Sequence, residues 1–138
     1  MSQLPRLVID TNWLLDLWVF EDARALPLRA ALEAGELRWL ATPHMRDEFE
    51  RVLGYPVVAK RLQASSREPA LLLAEFELRV EWAEPAPGAP VRCADADDQV
   101  FIDLALQQTA TLLSKDKAVL ACRKRLQALG VAVQPHWP

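Results

Sequence analysis

The chain has 138 residues, a length that suits one domain spanning 1–138 and leaves little room for a second. Its hydrophobic fraction of 51% and charged fraction of 25% are ordinary for a globular protein, and no apolar run reaches the roughly 18 residues that a membrane span needs. The net charge of −3 argues against a uniformly basic nucleic-acid surface, although cations group locally at Lys60, Arg61 and Arg67 and at Arg123, Lys124 and Arg125.

In chain order, the N-terminus lacks the long apolar stretch and small-residue cleavage site of a secretion signal, so a cytoplasmic location is expected. Residues 6–10 read as a short buried strand ending on Asp10. Thr11-Asn12 then opens a helical run over Trp13–Trp18, whose apolar face together with Val19 offers a surface for a homodimer. A helix is expected over about 23–34, stopped by Gly35, followed by a strand over 37–41. Thr42-Pro43 is a strong helix start, with threonine as N-cap and proline at the first helical position, and that helix runs to about Leu53. The helical pattern returns over 56–78, broken near Ser65-Ser66 and restarted by Pro69, and 79–82 reads as a short strand. The proline-rich stretch 84–90 suits neither a helix nor a central strand and is expected to be a surface connection. Beyond it come a helix over 95–108, with Asp95 as N-cap and Asp98 in the first turn, and a strand over 111–114. A helix from Lys115-Asp116-Lys117 to Gly130 and a last strand over 131–133 complete the chain. Cys93 and Cys122 form no CxxC pair, which leaves no zinc pattern and points to free thiols.

Strands alternating with helices predict an α/β fold, a central parallel sheet covered on both faces. Ligands in such folds bind outside the carboxyl ends of the strands. Asp10 and Asp116 fall at such ends, and Asp98 falls at the start of the helix that leads into the second of them. Glu48 sits inside the helix after the 37–41 strand, bordered at i−3 and i+4 by Met45 and Val52. Carboxylates converging at one edge repel one another, and a divalent cation relieves that repulsion. Oxygen ligands of this kind suit Mg²⁺ or Mn²⁺ and not zinc. Such an ion activates water and stabilises charge on a phosphate without any histidine or cysteine nucleophile. The plain reading stays open beside this one. Asp10, Asp95 and Asp116 each suit an N-cap, and Glu48 suits a solvated helix face.

Four blocks in order resemble the PIN-domain family, in particular the short bacterial toxin components of toxin–antitoxin systems. They are Leu7-Val8-Ile9-Asp10-Thr11-Asn12, Thr42-Pro43 through Glu48 to Leu53, Asp95-Ala96-Asp97-Asp98 through Ile102, and Thr111-Leu112-Leu113-Ser114-Lys115-Asp116. The resemblance implies a three-layer α/β/α domain carrying a Mg²⁺- or Mn²⁺-dependent ribonuclease site, with RNA as substrate and an antitoxin protein as partner. Asp10, Glu48, Asp98 and Asp116 match the family's catalytic, metal-binding acids. Thr11, Asn12 and Ser114 match its polar supports. Of the three neighbouring aspartates, Asp98 is the expected ligand and Asp95 the cap, while Asp97 is expected to point away around the helix. Lys115 stands where relatives carry a small residue; from there it reaches a phosphate or obstructs the mouth of the site.

Two other functions compete. A non-catalytic PIN-like module would keep the fold and bind protein or RNA without cleavage; the full set of acids counts against it. A phosphatase of the haloacid-dehalogenase type also opens on a strand ending in aspartate, but it needs a second aspartate two residues on, where this chain has Asn12. No glycine-rich, phosphate-cradling turn follows any predicted strand either.

Overall fold

The computed structural model describes residues 3–137. Five short strands, β1 (Arg6–Ile9), β2 (Arg38–Ala41), β3 (Glu81–Trp82), β4 (Thr111–Leu113) and β5 (Val133–Gln134), pair side by side in parallel. Their order across the sheet is β3-β2-β1-β4-β5. The three inner strands are buried on both faces, which is why they read as continuous apolar runs: Leu7, Val8, Ile9, Leu112 and Leu113 are all at most 2% exposed. The two edge strands are only two residues long, a length that gives a foreign strand little to pair with.

Eight helices connect them: α1 (Thr11–Trp18), α2 (Leu26–Glu33), α3 (Pro43–Leu53), α4 (Pro56–Ala64), α5 (Pro69–Arg79), α6 (Gln99–Gln108), α7 (Lys117–Leu120) and α8 (Arg123–Ala128). The chain steps from β1 outward to β2 and β3, then crosses to β4 and β5 on the far side of β1. Right-handed crossovers running in opposite directions put their helices on opposite faces, so the result is the expected three-layer α/β/α sandwich. One layer is α1 to α5, in which α1 packs on α2 and α3, and α3 on α4 and α5; the other holds α6, against β1, and α8, against β5.

Aromatic rings tie the first layer to the sheet. Trp39 of β2 meets Phe76 of α5 edge-on at 4.6 Å between centroids, and Phe76 stacks on Phe49 of α3 at 5.7 Å. Trp18 of α1 completes the cluster at 5.7 Å from Trp39. This packing corrects the expectation of a dimer surface on the Trp13–Val19 run. Trp13, Leu14, Leu15, Leu17, Trp18 and Val19 are all buried within the chain, and Arg67 donates to the carbonyls of Trp18 and Val19 where α1 ends. Of the tryptophans, Trp13, Trp18 and Trp39 are buried and Trp82 is exposed on the edge strand.

Several boundaries differ from expectation, each for a local reason. The 23–34 helix opens with a 3₁₀ turn, Ala23–Ala25, capped by Asp22, before regular α-helix starts at Leu26 with Pro27 in its first turn. Gly35, at φ +68°, ends it as expected. The 95–108 helix likewise begins with a 3₁₀ turn, Ala96–Asp98, so Asp98 lies before the α-helix and not in its first turn. The helix expected from 117 to 130 is broken between Leu120 and Arg123, and the last strand starts at Val133 because Gly130, at φ +88°, and the residues after it turn the chain back to the sheet.

Candidate active site

The strand order reverses between β1 and β4, and the carboxyl ends of these two strands open into a crevice. Asp10 leaves β1 there with its backbone N–H still bonded to the Leu113 carbonyl at 3.1 Å, which pins it between the strands. Its Oδ1 caps α1 by accepting from Trp13 N–H at 2.9 Å. Its Oδ2 is buried with no partner among the described residues. Ser114, fully buried at the end of β4, accepts from the Asp116 N–H at 3.2 Å and so sets the turn that brings Asp116 to the same place. Asp116 Oδ1 caps α7 through Ala118 N–H at 2.8 Å.

The third strip of acids comes from the turn before α6. Asp95, Asp98 and Asp116 each offer an oxygen, and these oxygens lie within 4.8 Å of one another. Across from them on α3, Glu48 is half-buried and accepts from the Thr11 hydroxyl at 3.3 Å. Asp10, Thr11, Asn12, Glu48, Asp95, Asp97, Asp98 and Asp116 line one open cleft of about 300 Å³.

A family model described as PIN domain matches residues 6–118, most of the chain and every acid just named. The chain belongs to the PIN-domain family. No curated protein matches it. PIN domains are in general nucleases that bind divalent metals, and this one brings a cluster of carboxylates together at the crevice that the fold reserves for ligands.

The acids of this PIN domain suit a hard cation on two independent counts. The donors are all carboxylate oxygens, with both cysteines free. Two of the oxygens, Asp10 Oδ2 and Asp98 Oδ2, are buried without any hydrogen-bond partner among the described residues. Orphaned buried carboxylate oxygens are costly unless something positive faces them. The same strain is visible in protonation. Burial pushes the Asp10 carboxyl up to about 6; the Ser114 hydroxyl and Trp13 N–H oppose the shift and the Asp116 charge adds to it. Burial, then the charges of Asp116, Asp95 and Asp10, push Asp98 up to about 7. Glu48 is also raised by burial, against the pull of Thr11, Arg51 and His44.

These shifts have a definite sign for stability. Folded Asp10 and Asp98 hold protons that the unfolded chain has lost, so without metal the fold loses stability as pH rises from about 4 through about 7. With EDTA present, the thermal midpoint is expected to fall between pH 5 and pH 7.5. Adding Mn²⁺ is expected to raise it at pH 7.5 and far less at pH 5, where protons compete for the ligands. A midpoint that climbs over this range without metal would contradict the arrangement.

The structure separates the expected residues. Asp95, Asp98 and Asp116 form the tight cluster, whereas Asp10 and Glu48 line the same cleft outside it. Asp95 is both a cap and a member of the cluster: its Oδ1 accepts from Asp97 N–H at 2.9 Å while an oxygen of the same carboxylate joins Asp98 and Asp116. Asp97, expected to point away from Asp98, is outside the cluster that Asp98 joins, yet it borders the cleft and adds charge beside Glu48. Lys115 neither reaches into the cleft nor obstructs it. It pairs with Asp16 and lies 4.8 Å over the Trp13 ring, away from the cleft lining. Arg51 and Tyr55 line the cleft and were missed; their spacing of i+3 and i+7 from Glu48 is the signal that would have found them.

Proposed function

We propose that this chain is a metal-dependent ribonuclease that hydrolyses RNA phosphodiester bonds, and that it serves in the cytoplasm as the toxin of a toxin–antitoxin pair. The observation that carries the nuclease reading is the convergence of Asp95, Asp98 and Asp116 within 4.8 Å in a cleft that Asp10 also lines, its Oδ2 buried and without a hydrogen bond among the described residues. Bound Mg²⁺ or Mn²⁺ would supply an activated water and a counter-charge for the phosphate. Asp98, Asp116 and Asp95 would hold it, and Asp10, lining the same cleft with an unbonded Oδ2, would add a further oxygen. Asp10 and Asp116 are fixed through their caps, so their free oxygens need little reorganisation. Thr11 orients Glu48 on the other wall, and Asn12, exposed at the cleft edge, is free to hold a water or a ribose hydroxyl.

The distribution of cations supports RNA as the substrate despite the net charge of −3. No acidic residue follows Asp116, and among the described residues Lys117, Arg123, Lys124 and Arg125 have no carboxylate partner. Lys117 directly follows Asp116, and Arg51, with no carboxylate partner among the described residues, lines the cleft itself. Phosphate neutralisation by such groups is sequence-independent and salt-sensitive. Thus the excess of acid is concentrated elsewhere, much of it in the cleft itself.

Cleavage of a labelled single-stranded RNA should require added Mg²⁺ or Mn²⁺ and stop with EDTA. Activity that survives chelation rules out the metal mechanism, and a protein that binds RNA and Mn²⁺ but never cuts is the non-catalytic module instead. The toxin role has its own test. Expression should arrest growth, and co-expression of a short DNA-binding protein encoded immediately upstream should relieve the arrest.

A further inference from the structure

The groove between α3 and α6 does not stop at the acids. Glu48, Arg51 and Val52 of α3 face Asp98 and Phe101 around the acidic cleft, and one turn earlier on α3 a second cavity of about 330 Å³ lies between Met45, Val100 and Leu104. Its outer wall is Pro85 and Ala86, from the proline-rich connection. His44, four residues before Glu48 on α3, lines this second cavity.

This second cavity is apolar except for Thr42, His44 and one carboxylate, Asp103. Asp103 is held firmly on one side only. Its Oδ1 accepts from Ala89 N–H at 2.9 Å and from Gln99 Nε2 at 2.8 Å. Gln99 is itself buried and fully used, accepting from Cys93 N–H at 2.6 Å and donating to the Val91 carbonyl at 3.0 Å. No described residue donates to Asp103 Oδ2, and that oxygen is not sealed from solvent. The result is a fixed, open acceptor on the wall of an apolar slot beside the acidic cleft.

We infer that the cavity between α3, α6 and the 84–90 connection is a nucleobase subsite, in which Asp103 selects bases that carry an amino group. The inference rests on the ribonuclease reading for its location, since an RNA strand whose phosphate lies at the acids would place a neighbouring base in the same groove. The chemistry is that of single-strand recognition, an unstacked base held between apolar side chains and read at its edge. Met45 supplies a polarisable sulfur for the base face. A carboxylate accepts from the exocyclic amine of cytosine or adenine, and uracil offers a carbonyl at the corresponding position.

The decisive substitution is Asp103→Asn. Two donors, Ala89 N–H and Gln99 Nε2, meet at Oδ1, so the amide oxygen must stay there and the NH₂ must face the slot. The preference should then invert toward uracil. The test is methyl NMR of the intact, metal-free protein, following Met45, Val100 and Leu104 during titration with cytidine, adenosine and uridine. In the wild type, cytidine and adenosine are expected to shift these methyls about tenfold more tightly than uridine, the scale of a hydrogen bond to a charged group. Asp103→Asn should favour uridine, and Ala86→Trp, which fills the slot, should abolish all three responses. Should the asparagine variant not fold, wild-type selectivity and its loss in Ala86→Trp decide the matter. Unmoved methyls, or uridine binding as well as cytidine, overturn the subsite. Nucleoside binding in a protein that cuts no RNA defeats the ribonuclease reading alone, whereas RNA cleavage without nucleoside binding defeats the subsite alone.

Discussion

Replacing Asp98 or Asp116 by asparagine is expected to lower metal-dependent RNA cleavage by at least about a hundredfold, since even outer partners of metal ligands give losses of 10–100-fold. The fold should survive both changes. Asp116 caps α7 with Oδ1, a role that an asparagine oxygen keeps, and Asp98 makes no side-chain cap at all. What each variant loses is negative charge at the point where three carboxylates share a space of 4.8 Å. Asp95→Asn should follow the same pattern, because it too keeps its cap to Asp97 N–H. Glu48→Gln is expected to lose less, as it lies outside the cluster and, unlike Asp10 Oδ2, already has a partner in the Thr11 hydroxyl. Single-turnover cleavage beside circular dichroism separates loss of chemistry from loss of fold. Near-wild-type rates in both Asp98→Asn and Asp116→Asn would show that the acids are not the site.

Asp10→Asn carries the second large effect, and it runs in opposite directions for activity and stability. Asp10 is 2% exposed, its Oδ1 is used by Trp13 N–H and its Oδ2 has no partner. Burial raises its carboxyl from the ordinary range to about 6, so ionising it at neutral pH works against folding. Neutral asparagine keeps the cap and removes that charge. The metal-free variant is therefore expected to be more stable than the wild type by roughly 2–3 kcal/mol at pH 7.5, with the difference vanishing near pH 4. Stabilisation by Mn²⁺ and cleavage activity should both be lost. Urea unfolding at the two pH values, with and without Mn²⁺, measures both sides. An asparagine variant less stable than the metal-free wild type at pH 7.5 would mean that Asp10 is a structural acid and not one strained for a ligand.

Much of this layout was legible in the residues. An apolar strand ending on Asp10, and an expected strand over 111–114 followed two residues later by Asp116, are enough to place both acids at carboxyl ends of a parallel sheet, because strands of that composition are buried on both faces. Thr42-Pro43 located the start of α3, the helix that carries Glu48. What was not legible depends on details finer than periodicity. A 3₁₀ turn and an α-helical turn share the same apolar pattern, so Asp95, Asp97 and Asp98 could not be sorted by helical geometry, and the cap turned out to be a cluster member as well. Lys115 was ambiguous because its partner, Asp16, is 99 positions away in sequence. The Trp13–Val19 run looked like an interface because a helix that is apolar nearly all round is equally suited to a core. Asp103 and Gln99 gave no signal at all, since their roles rest on bonds to a loop of irregular backbone.

The most direct test of the carboxylate cluster as a metal site is an anomalous difference map from crystals soaked with Mn²⁺ at about pH 7.5. The expected result is a peak bounded by Asp95, Asp98 and Asp116, with Asp10 Oδ2 turned toward it, and no such peak in Asp116→Asn crystals treated alike. A well-ordered wild-type cleft without Mn²⁺ density, or density as strong in the variant, would contradict it.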